Sequence, residues 1–177
     1  MIKIILILFS FLFCQTCLGY QEKKLANINI NMSYKNVLEK FGDPNEIHWQ
    51  NYSSMPVELS YNFGKLQSEM NDFDQITWLY LKRTYNLKIT FNSQNAVSII
   101  VIDGKSSPYK TERNISLGSL YSDILKSYGM PTHEYNNDYY ITLYYKQKNI
   151  SFQVIKNNSN FKSTYLVNMI EIKNTEN

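Results

Sequence analysis

A short pattern that occurs twice is the feature that most limits how this chain can fold. Segments 30–44 and 117–131 share their apolar residues and their turn residues. The matched pairs are Tyr34 and Tyr121, Val37 and Ile124, Leu38 and Leu125, Phe41 and Tyr128, Gly42 and Gly129, and Pro44 and Pro131. Agreement at these six apolar and turn positions is not expected by chance, so we predict a tandem structural repeat.

Each copy of the pattern predicts a short amphipathic helix. Its apolar residues recur at i, i+3, i+4 and i+7, which is one face of a helix. Ser33 and Ser119 are predicted to cap the two N-termini. Gly42 and Gly129 are predicted to end the helices in a left-handed conformation, and the proline two residues later prevents continuation. Helices of this length are marginal alone, so we expect both to pack against a sheet.

Runs rich in β-branched and aromatic residues follow each helix and predict strands. The predicted strands are 57–63, 76–82, 85–91 and 96–103 after the first helix, and 139–146, 150–155 and 164–173 after the second. Short polar turns separate them, which favours antiparallel meanders. The predicted fold class is therefore α+β: two tandem repeats, each a short helix followed by an antiparallel β-meander, with the helices on one face of the sheet.

The predicted organisation has four parts. Residues 1–19 are predicted to be a signal peptide, because Lys3 precedes a short apolar run and small Gly19 follows it. Repeat 1 covers 20–105, a linker covers 106–114, and repeat 2 covers 115–177. We therefore expect an exported protein, periplasmic or secreted.

Both cysteines, Cys14 and Cys17, lie inside the predicted signal peptide. Cleavage after Gly19 leaves a chain without cysteine, which excludes a cysteine enzyme, a thiol redox protein and a thiolate metal site. The alternative is lipidation of Cys17, which would make the protein an anchored outer-membrane lipoprotein. Membrane contact is expected only in that form.

The charge distribution argues against nucleic acid as a partner. The chain carries a net charge of +3. Nucleic-acid binding needs a clustered basic face, and no block of like charge is present.

The helix that ends in Gly-x-Pro, followed by a tyrosine-bearing strand, resembles the repeats of two exported bacterial groups. The residues that carry the resemblance are Leu117-Gly118-Ser119, Asp123-Ile124-Leu125, Tyr128-Gly129-Met130-Pro131 and Leu143-Tyr144-Tyr145, with weaker counterparts from Tyr34 to Pro44 and at Leu59-Ser60-Tyr61. One group is the β-lactamase-inhibitor protein, and the other is the outer-membrane-assembly lipoproteins with SmpA/OmlA-type domains. The resemblance implies an exported protein-binding scaffold.

The sequence predicts no catalytic residue, no metal and no cofactor. His48 and His133 follow the two Gly-x-Pro turns, and we interpret them as exposed loop residues. The alternative is a metal site that the two imidazoles share, but they have no companion ligands. Glu69, Asp72 and Asp74 gather in one segment, but they lack the glycine and the spacing of a calcium loop. None of the nucleophile, phosphate-binding or zinc-hydrolase motifs occurs.

Aromatic residues alternate with aliphatic residues in two predicted strands. If the aliphatic set faces the helices, the aromatic set lies on the opposite face of the sheet. The predicted partner-binding residues are Trp78, Tyr80, Tyr140 and Tyr144. The alternative is that they are ordinary cross-strand pairs or core residues.

The function predicted from the sequence is an exported, non-enzymatic protein-binding module. It would act as an inhibitor or an assembly factor, and its partner would be another envelope or extracellular protein. The alternative is a small-ligand or envelope-polymer binder, or a weak hydrolase, that uses the same aromatic residues.

Overall fold

The computed structural model describes residues 20–49, 52–55, 75–157 and 164–174. The predicted signal peptide with Cys17 and the predicted strand 57–63 lie outside the described residues, and so do Glu69, Asp72 and Asp74. The described part is a mixed α+β structure with two α-helices and antiparallel sheets. Within these ranges, no helix has the length and apolar character needed to cross a bilayer.

The two α-helices lie where the repeated pattern predicts them. Helix α1 spans Tyr34–Phe41 and helix α2 spans Tyr121–Tyr128. Gly42 and Gly129 follow the helices with φ of 71° and 79° and an extended ψ. The predicted left-handed conformation is therefore present only in the sign of φ, because the extended ψ places both residues in a different region that is almost restricted to glycine. Each glycine N–H donates to the carbonyl four residues earlier, at 2.8 and 2.9 Å.

The starts of the two helices differ from each other. At α1 the Ser33 hydroxyl oxygen accepts a hydrogen bond from Asn36 N at 3.3 Å, as predicted. At α2 the N-cap is Leu120, whose N–H donates to the Asp123 carboxylate at 3.3 Å. The prediction that Ser119 caps α2 is wrong, because the helix begins one residue later than the serine requires.

The described strands form a small hairpin and one continuous sheet. The strands are β1 Lys24–Leu25, β2 Ile28–Asn29, β3 Glu46–Trp49, β4 Tyr52–Met55, β5 Ile76–Leu81, β6 Tyr85–Phe91, β7 Val97–Gly104, β8 His133–Asn136, β9 Tyr140–Tyr145, β10 Ile150–Asn157 and β11 Thr164–Lys173. β1 pairs with β2. The other nine described strands form one antiparallel sheet in the order β4-β3-β5-β6-β7-β11-β10-β9-β8.

Six of the predicted strands fall inside the described ranges, and all six are present with ends that differ by at most two residues. Three strands of the large sheet were not predicted, namely β3, β4 and β8. They have four residues each, which is short for a periodicity to be recognised.

One face of the sheet is covered and forms the core. The strand registers bring Trp78, Ile89, Ile100, Ile172 and Ile150 into one cross-strand row. All five side chains are buried. This row runs across five neighbouring strands, so the core is continuous through the centre of the sheet.

Helix α1 packs on this face through aromatic side chains. The Tyr34 ring centroid lies 6.4 Å from that of Trp78, and the Phe41 centroid lies 5.6 Å from that of Tyr80. The Tyr80 hydroxyl donates to the Gly42 carbonyl at 3.0 Å, which satisfies its polar end inside the packed region.

Helix α2 packs on the same face. The Tyr128 ring centroid lies 5.0 Å from that of Phe152 and 5.5 Å from that of Tyr145. The Tyr145 hydroxyl donates to the Gly129 carbonyl at 2.9 Å. Burial raises the pKa of the Tyr145 hydroxyl above its ordinary value, so this side chain stays neutral and acts as a donor.

The prediction that Trp78 and Tyr80 lie on the open face is wrong. Both are buried, with 0% and 1% exposure, whereas Leu79 is only partly buried and Leu81 is 44% exposed. The reason is that the indole and phenol rings bury more apolar area against α1 than the leucines would. The size of the aromatic side chains, and not the aliphatic character of the leucines, therefore determines which side chains of β5 face the core.

The segment before β1 is held by a buried carboxylate. Glu22 is completely buried, and the Tyr128 hydroxyl donates to it at 2.5 Å. The Glu22 N–H donates to the Lys148 carbonyl at 2.9 Å. These two bonds tie the start of the described chain to α2 and to the turn between β9 and β10.

The predicted linker 106–114 packs against neighbouring elements. The Tyr109 ring meets the Tyr85 ring of β6 edge-on at 5.8 Å. Arg113 Nη1 donates to the Ser127 carbonyl of α2 at 2.7 Å. The same guanidinium lies 5.2 Å from the centre of the Tyr128 ring.

Candidate functional site

The face of the sheet opposite the helices carries a group of polar and aromatic side chains on β8 to β11. The registers place Tyr144, Ser151 and Glu171 in one cross-strand row, since Ser151 pairs with both of the others. The next row contains Thr142, Gln153 and Met169 by the same pairings. Residues two apart on a strand share a face, so both rows lie on the open side.

Tyrosines form one wall of this region. The Tyr135 ring on β8 lies 6.1 Å from the Tyr140 ring on β9, at an angle of 44°. The His133 ring lies 5.9 Å from the Tyr144 ring at 31°. Tyr135 is 49% exposed and Tyr144 is 37% exposed. These tyrosine rings are therefore partly exposed to solvent, and each one packs against a neighbouring ring.

The floor between these tyrosines and β11 is a shallow depression of about 330 Å³, which we call the tyrosine groove. Its lining consists of Tyr135, Tyr140, Thr142, Tyr144, Ser151, Gln153, Met169 and Glu171. A second depression of about 240 Å³ shares Tyr144, Ser151 and Glu171 with it and continues toward Lys146 and Lys173. Hydroxyl, amide and charged groups thus alternate with aromatic surface along the groove.

Glu171 is the carboxylate among the described residues that line the groove. Burial raises the pKa of its carboxyl group, and the nearby Lys173 opposes that shift. Neither an ion pair nor a side-chain hydrogen bond joins Glu171 to another residue in the described ranges. Asp103 differs, since Lys88 and Asn86 both contact its carboxylate at 2.8 Å. Glu171 therefore retains capacity for an external donor.

The structure brings together only half of the predicted binding residues. Tyr140 and Tyr144 line the tyrosine groove. Trp78 and Tyr80 lie in the core under α1 and cannot contact a partner. Sequence reasoning missed Glu171, although a glutamate that alternates with Ile170 and Ile172 in a strand is a visible signal.

The two histidines lie on strands and not in loops. His48 is on β3, where its Nε2 lies 2.8 Å from the Glu46 carboxylate, and His133 is on β8. Seven strand spacings of about 4.8 Å, about 34 Å along the sheet, separate β3 from β8, so the two imidazoles lie far apart. They cannot share a metal ion. No group of three or more potential metal ligands occurs among the described residues.

Comparisons with known proteins yield a likeness of fold. No protein-family model matches the chain, and no curated protein matches it. Similar solved structures include a cysteine-rich secretory protein from Staphylococcus aureus, with a TM-score of 0.52 and 10% identity over 90% of this chain and 49% of that one. The chain thus spans about half the length of that protein, and the likeness concerns the fold alone. A DUF4309 family protein (YjgB) from Bacillus subtilis has a TM-score of 0.47 and 14% identity over 90% of both chains.

Proposed function

We propose that the chain is an exported, non-enzymatic binding module whose tyrosine groove contacts a protein of the cell envelope or exterior. The observation that carries this proposal is the gathering of exposed tyrosines around a polar floor on the open face. Tyrosine provides a wide contact area at low entropic cost, and it is enriched among the residues that dominate binding energy.

Export is proposed from the sequence of residues 1–19, in which a lysine precedes a short apolar run and a small residue. Cleavage after Gly19 would release a chain that begins at Tyr20. Lipidation of Cys17 would instead leave the module anchored in the outer membrane. The intact mass of the protein recovered from its native host distinguishes the two forms.

A small ligand or an envelope polymer is the second candidate occupant of the groove. The observation in its favour is the set of hydrogen-bonding groups on the floor, with Ser151, Gln153 and Glu171 beside tyrosine rings. A hydrolytic version would need a second carboxyl group about 5 to 9.5 Å from the first. Glu171 is the single carboxylate among the described residues that line the groove.

We also propose that the chain is a tandem duplication of one helix-plus-meander unit. In support, the Tyr80 hydroxyl donates to the Gly42 carbonyl, and the Tyr145 hydroxyl donates to the Gly129 carbonyl. The strand order supports it too, since β3-β5-β6-β7, inside the terminal strand β4, and β8-β9-β10-β11 run inward from opposite sides and meet at the β7–β11 pair. On this proposal, β5 and β9 are equivalent strands.

The experiment for the binding function is affinity capture from the native host with matched variants. The Tyr140→Ala and Tyr144→Ala double variant removes two groove tyrosines. The control is Tyr139→Ala, because Tyr139 is 81% exposed and does not line the groove. We expect the double variant to lose a partner that the wild type and the control retain, at an unchanged melting temperature. Equal capture by all three proteins refutes the groove as the contact surface.

A further inference from the structure

The floor of the tyrosine groove lies between a carboxylate on one side and an aromatic ring on the other. Ser151 on β10 pairs with Tyr144 on β9 and with Glu171 on β11, so the three side chains form one row. Two strand spacings of about 4.8 Å each separate the tyrosine from the glutamate. The serine between them has a small side chain and is only 6% exposed, so it forms a floor without filling the gap. A group that lies above Ser151 can therefore contact both walls.

The charged side chains around the groove favour a cationic ligand. Among the described residues that line the groove, Glu171 is the one acid, and none is a lysine, an arginine or a histidine. Burial removes part of the water around the Glu171 carboxyl group. Within the described ranges, no side chain forms an ion pair or a hydrogen bond with it. A cation compensates a partly buried carboxylate of this kind, whereas a neutral ligand leaves its charge unpaired.

Tyr144 adds an interaction that distinguishes cations from neutral groups. Its ring is 37% exposed, and the strand order places His133 on the side of Tyr144 away from Ser151. The face of an aromatic ring attracts an ammonium or guanidinium group that lies within about 6 Å of the ring centre. The rings of Tyr135 and Tyr140, whose centroids lie 6.1 Å apart, extend the aromatic wall along the groove.

Two lysines lie beside the groove, and one of them provides a control. Lys146 and Lys173 line the neighbouring depression and not the groove itself. Lys173 follows Glu171 by two residues on β11, so the two side chains share the open face. Its positive charge opposes a cation at Glu171. Removal of that charge is therefore expected to have the opposite effect to removal of the glutamate charge.

We propose that the tyrosine groove contains a subsite for an organic cation, an ammonium or guanidinium group that binds between Glu171 and Tyr144 above Ser151. This inference rests on the proposed function and specifies the chemistry by which the groove selects its ligand. The carboxylate accepts a charge-assisted hydrogen bond, the tyrosine ring supplies a cation–π contact, and the serine hydroxyl oxygen accepts a further hydrogen bond. A lysine or arginine side chain of the partner protein and a free amine both present this chemistry.

The probe is Nα-acetyl-lysine N-methylamide, which is titrated into the purified protein and followed by NMR of the backbone amides of β9 to β11. Its neutral counterpart carries an acetyl group on Nε, which removes the charge and keeps the aliphatic stem. We expect saturable shifts with a millimolar dissociation constant for the charged probe, and binding weaker by at least about fivefold for the neutral probe. Equal binding of the two probes overturns the proposal, and so does the absence of saturable shifts with the charged probe.

Glu171→Gln and Lys173→Gln are matched charge variants on one strand. Both place the same amide on the open face, but only the first changes a residue that lines the groove. We expect Glu171→Gln to weaken binding of the charged probe about fivefold and Lys173→Gln to strengthen it about twofold. Tyr144→Leu should also weaken binding, whereas Tyr144→Phe keeps the ring and should retain it. Circular dichroism melting establishes that each variant is folded, and equal affinities of the two charge variants overturn the proposal.

Affinity capture from the native host distinguishes the sources of the cation. If Glu171→Gln loses the partner that Lys173→Gln retains, the basic group belongs to the partner protein. If Glu171→Gln loses the charged probe but keeps the partner, the subsite takes a free amine. Self-association of the wild type that Glu171→Gln abolishes in sedimentation assigns the basic group to a second copy of the chain. All three results support the subsite.

The same experiments separate this inference from the binding function itself. If the charged probe fails to bind while the double variant with Tyr140→Ala and Tyr144→Ala loses the partner, the protein-binding function remains and the cation subsite is removed. If the wild type binds the charged probe while the double variant keeps the partner, the subsite remains and the groove is not the contact surface for the partner.

Discussion

Trp78→Ala tests the assignment of the two sheet faces directly. Trp78 has no exposed surface, and its ring centroid lies 4.9 Å from that of Phe91 and 6.4 Å from that of Tyr34. Truncation to alanine removes the apolar area of the whole indole group and leaves a cavity between β5, β6 and α1. The packed neighbours can fill that cavity only in part.

The expected cost is about 3 to 5 kcal/mol of unfolding free energy, the range for truncation of a buried aromatic residue. A domain of this size has a total stability of about 5 to 15 kcal/mol, so the variant loses a large share of it. The melting temperature should fall by about 6 to 20 °C.

The assay is urea and thermal unfolding followed by far-ultraviolet circular dichroism, because the substitution removes one of the two tryptophans. The control is Tyr144→Ala, which truncates an aromatic side chain of the open face and should cost about 0.5 kcal/mol or less. If the unfolding free energy of Trp78→Ala lies within about 0.5 kcal/mol of the wild-type value, the burial of Trp78 is refuted. Such a result would restore the indole to the list of candidate contact residues.

Three further predictions concern the helix ends and the groove. Tyr145→Phe should cost about 1 kcal/mol in urea unfolding, because the Gly129 carbonyl loses its hydroxyl donor; a cost equal to that of Tyr139→Phe contradicts this. Gly129→Ala should cost about 1 to 3 kcal/mol by the same assay, since a Cβ meets no atom within 4 Å and only the φ of 79° opposes it; an unchanged stability contradicts it. Folding raises the pKa of Glu171 above 4.5, so its contribution to stability is present below pH 4.5 and is lost as the pH rises through the folded-state pKa. Glu171→Gln should therefore raise the melting temperature at pH 7 and leave it unchanged near pH 3.5, and the same gain at both pH values contradicts that sign.

The repeated pattern allowed the helices and most described strands to be predicted. Both helices occupy the predicted segments. The i, i+3, i+4, i+7 spacing and the terminal glycine are signals that lie within the helical segment itself, so the sequence alone reveals them. Strands of six or more residues were predicted for the same reason, since their composition alone distinguishes them from the polar turns. Strand β8 was missed because four polar or aromatic residues become a strand only through pairing with β9.

The inner face of β5 was predicted wrongly because aliphatic residues served as the marker of the core. A better signal was available in the spacing of Ile76, Trp78 and Tyr80, which matches Ile141, Leu143 and Tyr145 on β9. The structure buries all six residues of these two sets. Comparison of the two strands would therefore have predicted the inner face of β5 from that of β9.

The tyrosine groove was only half predictable, since it depends on contacts between distant parts of the chain. Tyr140 and Tyr144 come from one strand whose alternation is clear. Glu171 lies in the same cross-strand row as Tyr144 because Ser151 on β10 pairs with both residues. No local sequence pattern predicts these two pairings. The raised pKa of its carboxyl group likewise arises from burial among these strands and not from its sequence neighbours alone.

Two adjacent tyrosines of β9 illustrate how one strand separates stability from binding. Tyr145 faces the core and bonds to the end of α2, whereas Tyr144 faces the groove and contacts the His133 ring. Because side chains alternate along a strand, a change of one residue in register would exchange the two roles. Tyr145→Phe should therefore lower stability while capture of the partner continues, and Tyr144→Ala should reduce capture while stability is maintained. A variant series that moved both properties together would mean that the core and the contact surface are not on opposite faces of this sheet.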